Sequence, residues 1–539
     1  SVITEDSIFG DSERNELKSR QLELDDDSRQ KRINENLLAY IAMTRSSEHL
    51  ILIRSISDDG GRTTTPSIYW RMFANPTVRK FGAAFEDISS FDQTVARLMK
   101  WVRKGASPKP TADRVYEWLR QTTGSPIAAL RDGAWPALLY DNASTLSQES
   151  AEQLFGRPLV ASVSQLETFA ACPFKHFVRY GLNLQIRQDQ DPTDLDMGNL
   201  YHEALQKIVT STLQEKLDWA NLPEKLANDL IRSCTDEVGQ HLREELMLSS
   251  ARNRHLLSWI TRTLEKVTAA QQAAARRGQF RPVLAELAFG IGDKAPAFEV
   301  MTPKGHKVEL RGKIDRVDLT RGGDAFSVID YKTSPRRLEL DRVWHGLSLQ
   351  LLIYMMVMQE HGRRIWKNQA QAAAGLYVEL VRRLKSVDDP GEAIGPDDPL
   401  FNLRVKPRGI VRQDFAQAFD GELTPGKRSD VLNIQINKDG SAHQTSDLVG
   451  SDDIEALLNH VREKVGELAD RIIGGCIEAH PYKIGDETPC PNCDYRSVCR
   501  FQPGLNRYLH LTHLERSAVL EQLTDSRNDS PRESKRKSQ

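Results

Sequence analysis

The chain has 539 residues, 39% of them hydrophobic and 27% charged, with a mean hydropathy of −0.50; cores rarely grow beyond roughly 250–300 residues, so two or three domains are expected. The longest uninterrupted apolar run, 351–358, is far short of the ~20 residues of a membrane span, and no membrane association is expected. A formal net charge of −2, from 73 basic and 75 acidic residues, argues against a general polyanion sponge but is compatible with a local basic channel, because patches and not totals attract phosphates.

Ser1 stands where an initiator Met would, so the chain reads as the C-terminal piece of something longer. No signal peptide opens it, and a cytoplasmic location is the default expectation. After a polar, acidic start to about Gln30, the apolar pattern Leu37, Leu38, Tyr40, Ile41, Met43 predicts a helix that leads to Thr44-Arg45. His49-Leu50-Ile51-Leu52-Ile53 reads as a buried strand. Short helical segments follow at 67–73, 91–103 and 111–122, with 105–110 a plausible linker. Ser164-Gln165-Leu166-Glu167 has the spacing of a capping box and predicts a helix to about Tyr180. Further helices are expected at 198–217, 222–247, 255–277, 347–360 and 451–473, with strands over 283–332 and 373–380. The Ser/Arg/Lys/Asp-rich end, 526–539, reads as disordered. The expected domains are thus 1–60, a connecting region 61–160, a main domain 161–515 and a largely disordered tail 516–539.

The most informative segment is 308–333. Two strand-like runs flank Arg321-Gly322-Gly323-Asp324, and a Gly-Gly pair can supply the positive φ angles of a hairpin turn. A turn centred there pairs positions that sum to 645, which sets Asp315 opposite Asp330 with Cβ atoms about 5 Å apart. Lys332, two residues on, emerges on the same face as Asp330. Opposed carboxylates repel one another, and apolar neighbours (Ile314, Val317, Val328, Ile329) point to a buried sheet where unpaired charge is costly. A divalent cation between them resolves the conflict, and hard oxygen donors suit Mg²⁺ or Mn²⁺.

Of six cysteines, Cys490, Cys493 and Cys499 form C-x₂-C-x₅-C, and Cys172 is the candidate for a fourth thiolate. Cys234 and Cys476 read as small buried hydrophobes. The spacing suits zinc and an iron–sulfur cluster equally.

Gly312-Lys313-Ile314-Asp315-Arg316 followed by Val328-Ile329-Asp330-Tyr331-Lys332-Thr333 resembles the core of the PD-(D/E)XK nucleases of the RecB-type branch. Gly198-Asn199-Leu200-Tyr201-His202 resembles that branch's G-x-x-x-H motif, and Gln350-Leu351-Leu352-Ile353-Tyr354 its Q-x-x-x-Y motif. The four pieces occur in the family's order. The resemblance implies an α/β fold with a restriction-endonuclease-like core, a mixed sheet flanked by helices. It implies that His202, Asp315, Asp330 and the Tyr331 carbonyl hold the metal, that Lys332 is catalytic with Asp315 and Asp330, and that Gln350 and Tyr354 contact DNA or brace the site. Glu286, in a strand-like run, is a candidate supporting residue. One Cys ahead of such a core and three behind it looks like the layout of the iron–sulfur-stapled nucleases, which implies a [4Fe–4S] cluster. Upstream, Leu38 to Leu50 with Thr44-Arg45 resembles the last motif of superfamily 1 helicases of the UvrD/RecB kind, where the matching Arg45 would be an arginine finger toward ATP. No G-x-x-x-x-G-K-[ST] occurs here, so ATP would be used only in an intact complex. Together these resemble the AddB-type helicase/deoxyribonuclease subunits. They imply a metal-dependent deoxyribonuclease acting on DNA beside an AddA-like partner subunit in double-strand break resection and recombinational repair. The alternatives are a standalone CRISPR-associated iron–sulfur nuclease and a non-catalytic DNA-scanning module.

Overall fold

The computed structural model describes residues 10–533 except for 23–24, 56–62, 73–89, 104–109, most of 124–143, 186–192, 242–246, 248, 293–294, 367–368, 381–405 and 504–505. The expected linker at 105–110 lies almost wholly outside the described residues. The chain divides into two compact units, Ser1–Leu138 and Leu139–Gln539.

The first unit contains the α-helices α1 (Asp11–Ser19), α2 (Ser28–Thr44), α3 (Phe91–Arg103) and α4 (Pro110–Gln121) among its described residues. Asp27 caps α2 by accepting from the Gln30 amide at 2.7 Å. The expected strand at 49–53 does not form. That segment is irregular, with Ile51 80% and Ile53 90% exposed. A strand leaves its backbone donors and acceptors unmet unless another lies beside it, and this unit has no strand among its described residues.

The second unit is built on an eight-stranded mixed sheet, among the described residues, in the order β1-β4-β5-β6-β7-β8. These strands are β1 (Leu159–Ser162), β2 (Phe280–Phe289), β3 (Phe298–Met301), β4 (Lys307–Thr320), β5 (Ala325–Lys332), β6 (Gln371–Glu379), β7 (Arg408–Arg412) and β8 (Leu448–Val449), with β2 and β3 both added to β4. The first half of β4 pairs with β1 and β3, and its second half with β2 and β5. The hairpin register is the one the Gly-Gly turn predicts: Arg316 pairs with Ile329 and Val317 with Val328. Only Gly323 of the two glycines takes a positive φ, +71°, and the Thr320 carbonyl accepts its amide at 2.9 Å.

Helices cover both faces of β5, so all of its residues but Lys332 are buried. Phe326 and Val328 join a core with α5 (Val163–Ala171), α9 (Gln350–Trp366) and α10 (Ser451–Ile473). Ile329 and Tyr331 point the other way, into a core with α6 (Asp194–Gln214), α7 (Glu224–His241) and α8 (Ala251–Arg277). This two-residue alternation puts Asp330 and Lys332 on the α9 side. Arg316, facing α8, is 3% exposed and forks onto Asp318 at 2.6 and 2.7 Å, with its guanidinium over the Trp219 ring.

Two expectations need correction. The capping residue of α5 is Ser162, whose hydroxyl accepts from the Gln165 amide at 3.2 Å, and the helix breaks after Ala171, with a further turn at Pro173–His176 and a π-helical turn at Phe177–Gly181 that reach the expected end. Ser162 is the last residue of β1, so the chain turns into the helix two residues early; Cys172, at φ −167°, then ends it. At the other end, α11 (Arg516–Glu533) replaces most of the expected disordered tail. Its Val519 and Leu523 are buried in the core with α10, and this anchors a helix of otherwise polar composition.

Candidate active site

Four elements bring the predicted residues to one place. His202, on α6, has Nδ1 3.3 Å from Asp315 Oδ1 and 3.8 Å from Glu286 Oε1. The donor atoms of His202, Glu286 and Asp315 all lie within 4.8 Å of one another. Asp330 follows Ile329, the register partner of Arg316, so it comes beside Asp315 where the paired stretch of β4 and β5 ends. The second Asp315 oxygen accepts the Tyr331 amide at 2.8 Å, which fixes the carboxylate and leaves the Tyr331 side chain facing α8, where its hydroxyl meets Gln271 and Arg316.

Glu286 stands closer to the centre than a supporting role requires. The pairs Ala285–Arg316 and Leu287–Ile314 bracket it, so it faces Asp315 across β2 and β4. Its φ of +49° is uncommon for a residue with a side chain. A register shift between Pro282 and Leu284 precedes it on β2. Sequence gives no signal for that kink, which is why Glu286 is legible only as strand. Lys313, unremarked in the sequence, ion-pairs with Glu286 at 2.7 Å.

Lys332 places its ammonium 2.6 Å from Asp330 Oδ2 and donates to Gln350 Oε1 at 2.9 Å. Gln350 in turn donates to the Tyr354 hydroxyl at 3.0 Å, one helical turn along α9. The first residues of α9 are held from another helix. Glu167 accepts from the amides of Leu349 and Gln350 at 2.7 and 3.1 Å, using two N–H groups that a helix start leaves without partners. Glu167 is the acid of the expected capping box, yet it caps α9 and not its own helix. Tyr354 packs edge-on against Phe289, and a Cβ at Gly312 would lie 2.9 Å from that Phe289 ring.

The electrostatics of this cluster fit a divalent cation. Burial, and then the Asp315 charge, push the Asp330 carboxyl up to about 7 despite Lys332. Burial would depress His202, but hydrogen bonds and charge from Asp315 and Glu286 outweigh it and push it up to about 10. Protons therefore sit where an excess of carboxylate lacks positive charge. Asp330 Oδ2 is buried and, although close to Lys332, has no partner in hydrogen-bond geometry. Three carboxylates and one imidazole are a donor set for Mg²⁺ or Mn²⁺.

The cysteines gather at the other end of α5. Cys172, its C-cap, has its thiol pushed up to about 12 by burial, with Cys499 and Cys490 adding to the shift. Burial also raises Cys490 and Cys499, and Cys493 contributes to both. Tyr495 donates to the Leu184 carbonyl at 3.0 Å, tying the two segments together. Among the described residues, no three of these sulfurs lie within 4.8 Å of one another. Cys234 stands apart in the core of α6–α8, and Cys476 accepts from Arg471 at 3.8 Å. Next to Cys172, His176 is buried among Phe155, Phe169 and Tyr180 with both ring nitrogens unpartnered, and burial holds it down at about 4. Arg45 is exposed at the end of α2. No helix among the described residues is long and apolar enough to cross a membrane.

Comparison with known proteins places this geometry in context. The model of the PD-(D/E)XK nuclease superfamily matches residues 160–500. The chain is 34% identical over 524 residues to the AddB subunit of the ATP-dependent helicase/deoxyribonuclease of Moorella thermoacetica, covering 93% of this chain and 45% of that protein. Proteins of the same name from Symbiobacterium thermophilum and Bacillus subtilis are 33% and 28% identical, over 93% and 96% of this chain and 44% and 46% of theirs. The chain thus spans about half the length of the curated relatives it matches. With the family match covering the sheet, its flanking helices, the carboxylate cluster and the cysteines, the chain belongs to the PD-(D/E)XK nuclease superfamily.

Proposed function

We propose that this chain carries the nuclease site of a helicase–nuclease that resects DNA double-strand breaks for recombinational repair, cutting DNA strands by metal-assisted phosphodiester hydrolysis. The observation that carries the reading is the convergence of His202, Glu286 and Asp315 within 4.8 Å, opposite the Asp330–Lys332 pair. His202, Glu286, Asp315 and Asp330 would hold Mg²⁺ or Mn²⁺, with the Tyr331 carbonyl as a further donor. When bound, the cation supplies Lewis acidity toward a phosphoryl oxygen and lowers the pKa of a water. The Asp330 charge and the Gln350 oxygen hold the Lys332 ammonium so that its other N–H groups can steady charge developing on the phosphate. Tyr354 fixes the Gln350 amide and so the direction of those N–H groups.

The same reading extends to the cysteines and the first unit. Cys172, Cys490, Cys493 and Cys499 would bind a [4Fe–4S] cluster. The layout supports this reading, with one Cys ahead of the core and three behind it. Arg45 would serve as an arginine finger toward ATP in the intact complex, which pairs this chain with an AddA-like partner in the cytoplasm. The names of the relatives, matched across both units, support this over a standalone CRISPR-associated nuclease.

The deciding experiment is cleavage of linear DNA with Mg²⁺. Asp330→Ala is expected to abolish cutting while DNA binding persists, because binding rests on phosphate contacts elsewhere. Undiminished cutting by the purified variant would place the chemistry at another site.

A further inference from the structure

Beyond Lys332 the sheet opens into a cavity of about 970 Å³, at the upper end of the range of about 300–1,000 Å³ that small-molecule pockets occupy. Such pockets are mostly apolar; this one is cationic. Arg336, Arg337, Arg342, Lys406, Arg408 and Arg428 line it against two acids, Glu339 and Glu379. Arg342 is engaged by Glu339 and Glu487, and Arg408 by Asp447. Among the described residues, Arg336, Arg337, Lys406 and Arg428 have no carboxylate within salt-bridge distance. Ser348, also in the wall, is 2% exposed, and its hydroxyl has no hydrogen-bond partner. The Tyr377 hydroxyl, likewise buried, lies beside it.

The cavity adjoins the candidate site through the backbone. Glu379 in its wall is the register partner of Lys332, and Tyr377, the partner of Asp330, pairs on its other side with Arg408. Ser348 is two residues before Gln350, which holds Lys332. We propose that this cavity seats the phosphodiester backbone of the DNA strand being cut, with Arg336 and Arg337 neutralising its phosphates. The assignment rests on the nuclease reading above and adds to it the track by which the strand reaches Lys332. A flexible, single-stranded backbone suits a polar recess beyond the half-buried Lys332 better than a rigid duplex does.

The test is the salt dependence of binding. The whole protein, in EDTA to prevent cutting, is titrated with a fluorescein-labelled single-stranded oligodeoxynucleotide across a range of NaCl concentrations. Each phosphate contact on a single strand contributes about 0.7 to the slope of log affinity against log salt. The Arg336→Gln/Arg337→Gln variant should therefore lower that slope by about 1.4, and in Mg²⁺ raise KM for cleavage with kcat within about twofold of wild type. Arg363→Gln/Arg364→Gln removes the same charge from the far end of α9, about 20 Å away along the helix, and should leave the slope unchanged. An unaltered slope and KM in the first variant, or an equal fall in the control, overturns the assignment even though wild type cuts. Failure of wild type to cut, with the slope falling as expected, would instead remove the nuclease reading and leave the phosphate site.

Discussion

The carboxylate cluster and the cysteine set are both candidate metal centres, and they are built in opposite ways. The first draws on adjacent strands of one sheet plus one turn of α6, so its donors are neighbours once β2, β4 and β5 pair. The second joins chain segments separated by the whole nuclease core, Cys172 before it and Cys490, Cys493 and Cys499 after it. Crowding charge on a rigid sheet costs stability and gives reactivity. Gathering thiols from distant segments onto one bound cluster would instead constrain the unfolded chain and add stability.

This contrast is breakable at several points. The largest effect is expected at the cysteines. Losing a cross-link of this span should cost on the order of 5 kcal/mol if the loop-closure relation for disulfides transfers. Cys493→Ala should then lower Tm sharply and remove the brown colour and about four irons per chain of anaerobically purified protein. Stoichiometric zinc in place of iron would reject the cluster. Lys332→Ala should reverse the pattern, with cleavage slowed by about 10²–10⁴-fold while Tm stays within a degree or two. A large fall in Tm would mean that the lysine is structural.

A third expectation concerns acid. His176 is neutral in the fold and titrates near 4, against an ordinary value of 6.5. The unfolded chain therefore binds more protons between those limits, and stability is lost as pH falls from 6.5 through 4, by on the order of 3 kcal/mol. His176→Phe should flatten denaturant midpoints across that range, and an unchanged slope would show that other groups dominate.

The smallest effect tests whether the two centres communicate through α5, which carries Glu167 in its middle and Cys172 at its end. Glu167→Ala removes the acceptor for the Leu349 and Gln350 amides, and kcat should fall about tenfold, the equivalent of a lost cap of about 1–2 kcal/mol. Glu167→Gln keeps an acceptor oxygen and should restore most of the rate. Equal losses in both variants would assign Glu167 a role through its charge.

Much of the carboxylate cluster was legible because a tight turn fixes register: the turn at 322–323 pairs Arg316 with Ile329, the residues next to Asp315 and Asp330. Glu286 was not, because its place depends on a kinked backbone that no residue type announces. Glu167 was assigned to the nearest helix start, whereas its partners lie far along the chain, and local capping patterns carry no information about tertiary acceptors. The run at 49–53 is as apolar as a buried strand, yet β5 lies between β4 and β6 while 49–53 has no such neighbours among the described residues. Apolar pattern proposes a strand; partners decide it.

Gly312 has a consequence for how this site can vary. Its missing Cβ is the clearance into which Phe289 leans, and Phe289 is the surface on which Tyr354 rests. Gly312→Ala alone should therefore displace Tyr354 and loosen the Gln350–Lys332 alignment. Shortening Phe289 to Leu in the same chain should recover much of it. Positions 312 and 289 should therefore behave as a compensating pair, tolerant of change together and intolerant singly, although neither belongs to the carboxylate cluster.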